Sequence, residues 1–121
     1  IYAANMATGA TGTSISTAGG DVCPHFSRDG SRLTYAALGS AGQLDIFAHD
    51  LASGDASGAH DTQLTHDPSR DDYANASPDD RTMVFVSDRD GNPELYLMDR
   101  DGSQQRRLTN TAGTNENVPD W

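Results

Sequence analysis

Four histidines (His25, His49, His60 and His66), one cysteine (Cys23) and eighteen carboxylates are the side chains of these 121 residues with the clearest capacity for chemistry. Their spacing excludes more than it offers. No two histidines stand in the H-E-x-x-H arrangement that places two zinc ligands on one helical face. No G-x-S-x-G occurs, so the chain has no nucleophile elbow, and a hydrolase site would have to lie outside it. One cysteine makes neither an internal disulfide nor a four-cysteine metal site. Asp88-Arg89-Asp90-Gly91-Asn92 and Asp99-Arg100-Asp101-Gly102 superficially resemble acidic calcium loops. The calcium pattern also needs Gly at position 6 and Glu at position 12, and neither stretch provides the set. Asp-Gly is a strong hairpin-turn signal. Both stretches therefore read as turns, with Ca²⁺ as the alternative and no other cofactor implied.

Charge narrows the partners. Sixteen Asp and two Glu stand against eight Arg and no Lys, for a net charge of −10. Phosphate binding needs clustered cations, so unaided nucleic-acid binding is excluded. No apolar run approaches the roughly 20 residues of a membrane span.

The elements that must position these residues repeat. Ser27 aligns with Ser77, Asp29 with Asp79, Ile46-Phe47 with Leu95-Tyr96, Asp50 with Asp99, and Leu64-Thr65 with Leu108-Thr109. IYAANMATG from Ile1 matches IFAHDLASG from Ile46, and DVCPHF, DDYANA and ENVPDW end on Phe26, Ala76 and Trp121. The interval is about 45 residues, a propeller-blade period. Within the last full repeat, four strands are expected: Asn75–Ser77, Thr82–Ser87, Glu94–Met98, and one around Arg106–Thr109. Met83 and Phe85 fall on one face of their strand, Val84 and Val86 on the other. Both faces are apolar, as in a sheet sandwiched between neighbours and unlike one with a wet side. The fold class is therefore all-β: four-stranded antiparallel blades of a beta-propeller. The predicted units are a half blade at 1–20, blades at 21–66 and 67–111, and the start of a further blade at 112–121. About two and a half blades cannot close a ring that needs at least four. The chain thus reads as part of a larger, six-bladed propeller, with closure by self-association as the alternative.

Ser77-Pro78-Asp79, Ser87-Asp88-Arg89-Asp90-Gly91, Leu95-Tyr96, Met98-Asp99, Asp101-Gly102 and Arg107-Leu108-Thr109 closely resemble the repeat of the TolB-like beta-propeller family. In the middle repeat the S-D-R-D-G hairpin is replaced by Leu38-Gly39-Ser40-Ala41-Gly42, and Asp80 stands where the family has Gly. The resemblance implies a periplasmic or extracellular scaffold that binds a protein, a peptide or a small ligand. The same blades occur in propeller domains of serine peptidases and polysaccharide lyases, so an enzyme with catalytic residues elsewhere is the alternative.

On that frame the acids acquire positions. Asp21, Asp71-Asp72 and Glu116-Asn117 recur just before the inner strands, at the rim of the channel mouth. His25, Asn75 and Asp120 share one inner-strand position facing the channel. The expected ligand-binding set is Asp21, His25, Asp71, Asp72, Glu116 and Asp120, a negative focus suited to a cation or a basic peptide. His25 also reads as a channel-lining polar residue bonded to water. No catalytic residue and no metal ligand is assigned.

Overall fold

The structure is a computed structural model and describes residues 22–51, 61–114, 119 and 121. These residues form two four-stranded antiparallel sheets, each a simple meander. The first contains β1 (Val22–Phe26), β2 (Arg32–Leu38), β3 (Leu44–Asp50) and β4 (Asp61–Gln63). The second contains β5 (Asp71–Ala76), β6 (Thr82–Ser87), β7 (Glu94–Asp99) and β8 (Arg106–Arg107). The predicted half blade at 1–20 lies outside the described residues.

The strands form where β-branched and aromatic residues run between turn signals. Tyr35 pairs with Phe47 and Phe85 with Tyr96 at equivalent registers, and both pairs are in ring contact. The Ser-x-Asp turn before each second strand has a chemical reason. Ser77 Oγ donates to Asp79 Oδ1 at 2.6 Å and accepts the Thr82 amide at 3.1 Å. Ser27, Asp29 and Arg32 repeat the arrangement at 2.7 and 3.0 Å. The next residue is left-handed in both turns, Gly30 at φ +72° and Asp80 at φ +57°. Asp80 thus takes the conformation that glycine adopts freely, and its carboxylate pairs with Arg100.

The inner strand β5 begins four residues before the predicted Asn75. It can do so because, past a bulge between Asp72 and Asn75, pairing resumes at Asp72 with Val86 and continues to Asp71 with Ser87. β1 has the same bulge between Val22 and His25. Within these bulges Cys23 (φ +54°) and Tyr73 (φ +51°) occupy the left-handed region at equivalent positions. The outer strand β8 is shorter than expected. The amides of Leu108 and Thr109 both turn to the carbonyl of Leu95.

The main core lies between the two sheets. Ile46, Ala48 and Leu64 of the first blade meet Ala74, Met83, Phe85, Tyr96 and Met98 of the second. On the far side of the first sheet, Leu33, Tyr35 and Ala37 form a second cluster with Phe47 and Leu51. Val84 and Val86, on the other face of β6, are also buried. Both faces of the middle strands are therefore covered, as their apolar alternation requires. Gly102 completes the junction. A Cβ there would stand 2.6 Å from the Leu64 carbonyl oxygen, so only glycine lets the hairpin after β7 lie against the first blade.

Among the described residues Phe85 is the largest fully buried side chain. Phe85→Ala is expected to cost about 3–5 kcal/mol in the closed propeller. Urea unfolding of the complete protein checks this, and a loss below about 1 kcal/mol would contradict the packing described.

Candidate binding face

The segment between the blades, residues 64–70, and the hairpin between β6 and β7 lie side by side. The Arg70 amide donates to Asp88 Oδ1 at 2.9 Å, and the Asp88 amide returns a bond to the Arg70 carbonyl. Together they form one face of the molecule, the face expected to rim the channel mouth.

Arg89 holds this face together. Its guanidinium lies 5.5 Å from the Phe85 ring centroid and 4.7 Å from that of Tyr96, within cation–π range. Nε donates to Ser87 Oγ at 2.8 Å and Nη1 to Gln105 Oε1 at 2.9 Å. Nη2 reaches both oxygens of Asp71, at 3.2 and 3.1 Å, and Asp67 Oδ2 at 2.7 Å. Gln105 in turn donates to the Leu64 carbonyl at 3.2 Å. One side chain thus joins the inner strand, the hairpin, the approach to the outer strand and the inter-blade segment.

The sequence-predicted site residues fall into three groups. Asp21, Glu116 and Asp120 lie outside the described residues. Asp71 and Asp72 are buried, 0% and 2% exposed, beneath this face. Each has an arginine as counter-charge. Asp71 faces Arg89, while Asp72 Oδ2 lies 2.6 Å from Arg70 Nη2 without a hydrogen bond. The negative charge expected at these two residues is therefore opposed by neighbouring arginines and turned away from solvent. Burial pushes the Asp71 carboxyl up to about 6, opposed by hydrogen bonding from Ser87 and the charge of Arg89, with Asp67 adding to the rise. Burial also raises Asp72, against the pull of Arg70. His25, the third group, is half-buried on β1 at the register position that Asn75 occupies on β5. Beside it, burial first and the Asp72 charge second raise the Cys23 thiol.

Two polar locks escaped the sequence reading. Glu94, fully buried at the start of β7, accepts from Thr109 Oγ1 at 2.6 Å, the Thr111 amide at 2.7 Å, Arg107 Nη2 at 2.8 Å and Asn92 Nδ2 at 3.0 Å. Thr109 Oγ1 also accepts the Leu95 amide. In the first blade Asp45, Thr65 and the Ile46 amide repeat the pattern, and Gln63 replaces Arg107. The signal was present: an acid precedes Ile46 and Leu95 in both repeats, and Thr closes both outer strands. These bonds hold Glu94 down to about 2, the Thr109 hydroxyl foremost.

The acidic turns have internal roles. Asp101 accepts from the Ser103 amide, and Asp90 accepts from Tyr96 and Arg107. Among the described residues, no three His, Cys, Asp or Glu side chains cluster closely enough to hold a metal ion. No described helix is long and apolar enough to cross a membrane. On the opposite face, an open groove of about 900 Å³ separates the blades, with Arg32, Arg81 and Arg100 interleaved with Asp50, Asp79, Asp80, Asp99 and Asp101. Its charges are of both signs, so it offers no single-sign focus.

The model of the TolB beta propeller domain matches residues 1–121. The chain belongs to this family. Among solved structures, TolB from Acinetobacter baumannii matches with a TM-score of 0.71 and 27% identity, covering 92% of this chain and 26% of that one. A protein assigned as TolB from Agrobacterium tumefaciens matches with a TM-score of 0.70 and 31% identity, covering 81% and 33%. The uncharacterized peptidase YuxL of Bacillus subtilis is 30% identical over 87 residues, 71% of this chain and 13% of that protein. An uncharacterized protein of Agrobacterium fabrum is 34% identical over 87 residues, 72% and 28%. The chain thus spans a third or less of each of these relatives, as a set of TolB-family blades would.

Two outcomes follow for the buried polar groups. Arg89→Ala removes the counter-charge of Asp71 and is expected to cost about 3 kcal/mol at neutral pH. Adding Asp71→Asn should recover part of that loss in a double-mutant cycle; strictly additive losses would show that the two do not interact. Glu94 has a folded-state pKa below its ordinary value. Its stabilising effect is present above about pH 4.5 and fades as pH falls toward 2. The stability gap between wild type and Glu94→Gln, from urea midpoints, should therefore narrow between pH 6 and pH 3.

Proposed function

We propose that the chain is part of a non-catalytic propeller scaffold, periplasmic or extracellular, that binds a protein or peptide at the channel mouth without a cofactor. The observation that carries this reading is the pre-organised mouth face. Arg89 clamps its hairpin and inter-blade segment to the inner strand, so binding there orders little that is not ordered already. Direct contact falls to His25 on β1 and to Asp120 at the equivalent channel position of the repeat, while Asp21 and Glu116 share the repeat position of the buried Asp71. Asp71 and Asp72 support the face from beneath. The exposed carboxylates Asp88 and Asp90 favour a basic segment as partner.

A second reading is the propeller portion of an enzyme whose catalytic residues lie outside the chain. The similarity to the peptidase YuxL favours it.

The test is calorimetric titration of the complete protein with a basic decapeptide at low and high salt. Binding that weakens with salt and drops about tenfold in a His25→Ala, Asp120→Asn variant is the expected result. No binding at low salt, or equal binding by the variant, would refute the mouth site. Labelling of the same protein by a serine-hydrolase probe would decide for the second reading.

A further inference from the structure

Asp67 and Asp71 converge on a single nitrogen, Nη2 of Arg89. Asp67 approaches from the inter-blade segment at 2.7 Å, and Asp71 from the inner strand at 3.1 and 3.2 Å. The other guanidinium donors are directed to Ser87 and Gln105. Two carboxylates therefore share one positive charge, and the cluster carries an excess negative charge where Asp71 has no access to water. Like charges confined in this way favour uptake of a proton by one of the pair.

The surroundings decide which carboxylate takes it. Asp71 is fully buried, with Ser87 of β6 and Thr65 of the inter-blade segment beside it. Hydrogen bonds from both hydroxyls favour the charged form, but burial outweighs them, so the desolvated Asp71 carboxylate is the one that takes the proton. Asp67 is partly exposed and keeps its charge more cheaply. The nearest other charges are the Arg70–Asp72 pair, Asp88 on the hairpin, and Asp45, which feels both Asp67 and His66. Asp90 is engaged by Tyr96 and Arg107. None of these offers Asp71 a second cation.

We infer that the Arg89 clasp is a proton-responsive latch: protonation of Asp71 hands the guanidinium to Asp67 and loosens the mouth hairpin, residues 88–91, from the inner strand. The transfer moves one proton from solvent to a carboxylate and breaks no covalent bond. The rise in the Asp71 pKa caused by its burial places the event in the mildly acidic range. The sign for global stability is opposite to that for the latch. A folded-state pKa above the ordinary value means Asp71 contributes stability that is fully present below about pH 4 and is lost as pH rises through about 6. Acid thus favours the fold at this residue while releasing the hairpin locally. The latch is a property of the fold and does not depend on the mouth binding a peptide.

The test is a carboxyl-carbon NMR titration of the ¹³C-aspartate-labelled complete protein, read together with amide exchange at residues 88–91 corrected for intrinsic rates. In wild type, Asp71 should titrate near pH 6, and the hairpin amides should exchange about tenfold faster at pH 5 than at pH 7. Asp67→Asn, at a partly exposed position, should move the Asp71 midpoint down by about one unit and shrink the exchange response. Asp71→Asn should show the faster exchange at both pH values. Titration of both carboxyls below about pH 4.5, an Asp71 midpoint unmoved by Asp67→Asn, or exchange independent of pH in wild type would each overturn the latch.

Discussion

One guanidinium, that of Arg89, sets the geometry of the second blade and its junction with the first. It sits against the buried Phe85–Tyr96 ring pair, so its position is fixed by apolar packing. From there its donors reach the inner strand, the hairpin, the outer-strand approach and the inter-blade segment. An arginine suits this role because its planar fork serves several acceptors at once and stays charged when partly desolvated. A lysine would supply one point of charge and could not span Ser87, Gln105 and the two carboxylates.

The first blade solves the same problem with different chemistry. It lacks the S-D-R-D-G hairpin, and among its described residues Asp61 holds the outer strand instead. Tyr35 donates to Asp61 Oδ2 at 2.7 Å, and His49 Nδ1 lies 2.6 Å from Oδ1. By register, Asp61 stands where the second blade has Gln105. Both blades thus tie the same outer-strand position to a polar group rooted in an apolar pair, Tyr35–Phe47 in one and Phe85–Tyr96 in the other. The acid–threonine lock at the start of each third strand is the more constant device. It satisfies a backbone amide and a buried carboxylate together, where leaving either unpaired would be costly.

These internal roles change how the acidity of the chain is understood. Much of the aspartate closes turns or opposes arginine within a blade. What remains exposed beside the β6–β7 hairpin is a modest negative surface, with an inner strand bulged identically in both blades. The proposed partner would be recognised through shape and positioned polar groups, with charge contributing mainly to approach.

The sequence by itself determined the blade. Its 45-residue interval, its two-faced apolar strands and its Ser-x-Asp and Asp-Gly turns specify four-stranded antiparallel units and the burial of Phe85 and Tyr96, because these are local patterns with a local physical meaning. The larger shifts in element limits came where a bulge or a carbonyl shared by two amides altered pairing, at Asp71 and at Leu108. Tertiary structure decided the fate of the charged side chains. Asp71 and Asp72 read in sequence as rim carboxylates, yet both lie buried against arginines. Arg89 read as a turn residue, yet it is the centre of the junction. Periodicity tells which way a side chain points along its own strand. It cannot tell which distant partner occupies the space there, and for a charge in a low-dielectric interior that partner decides whether the group is a ligand or a strut.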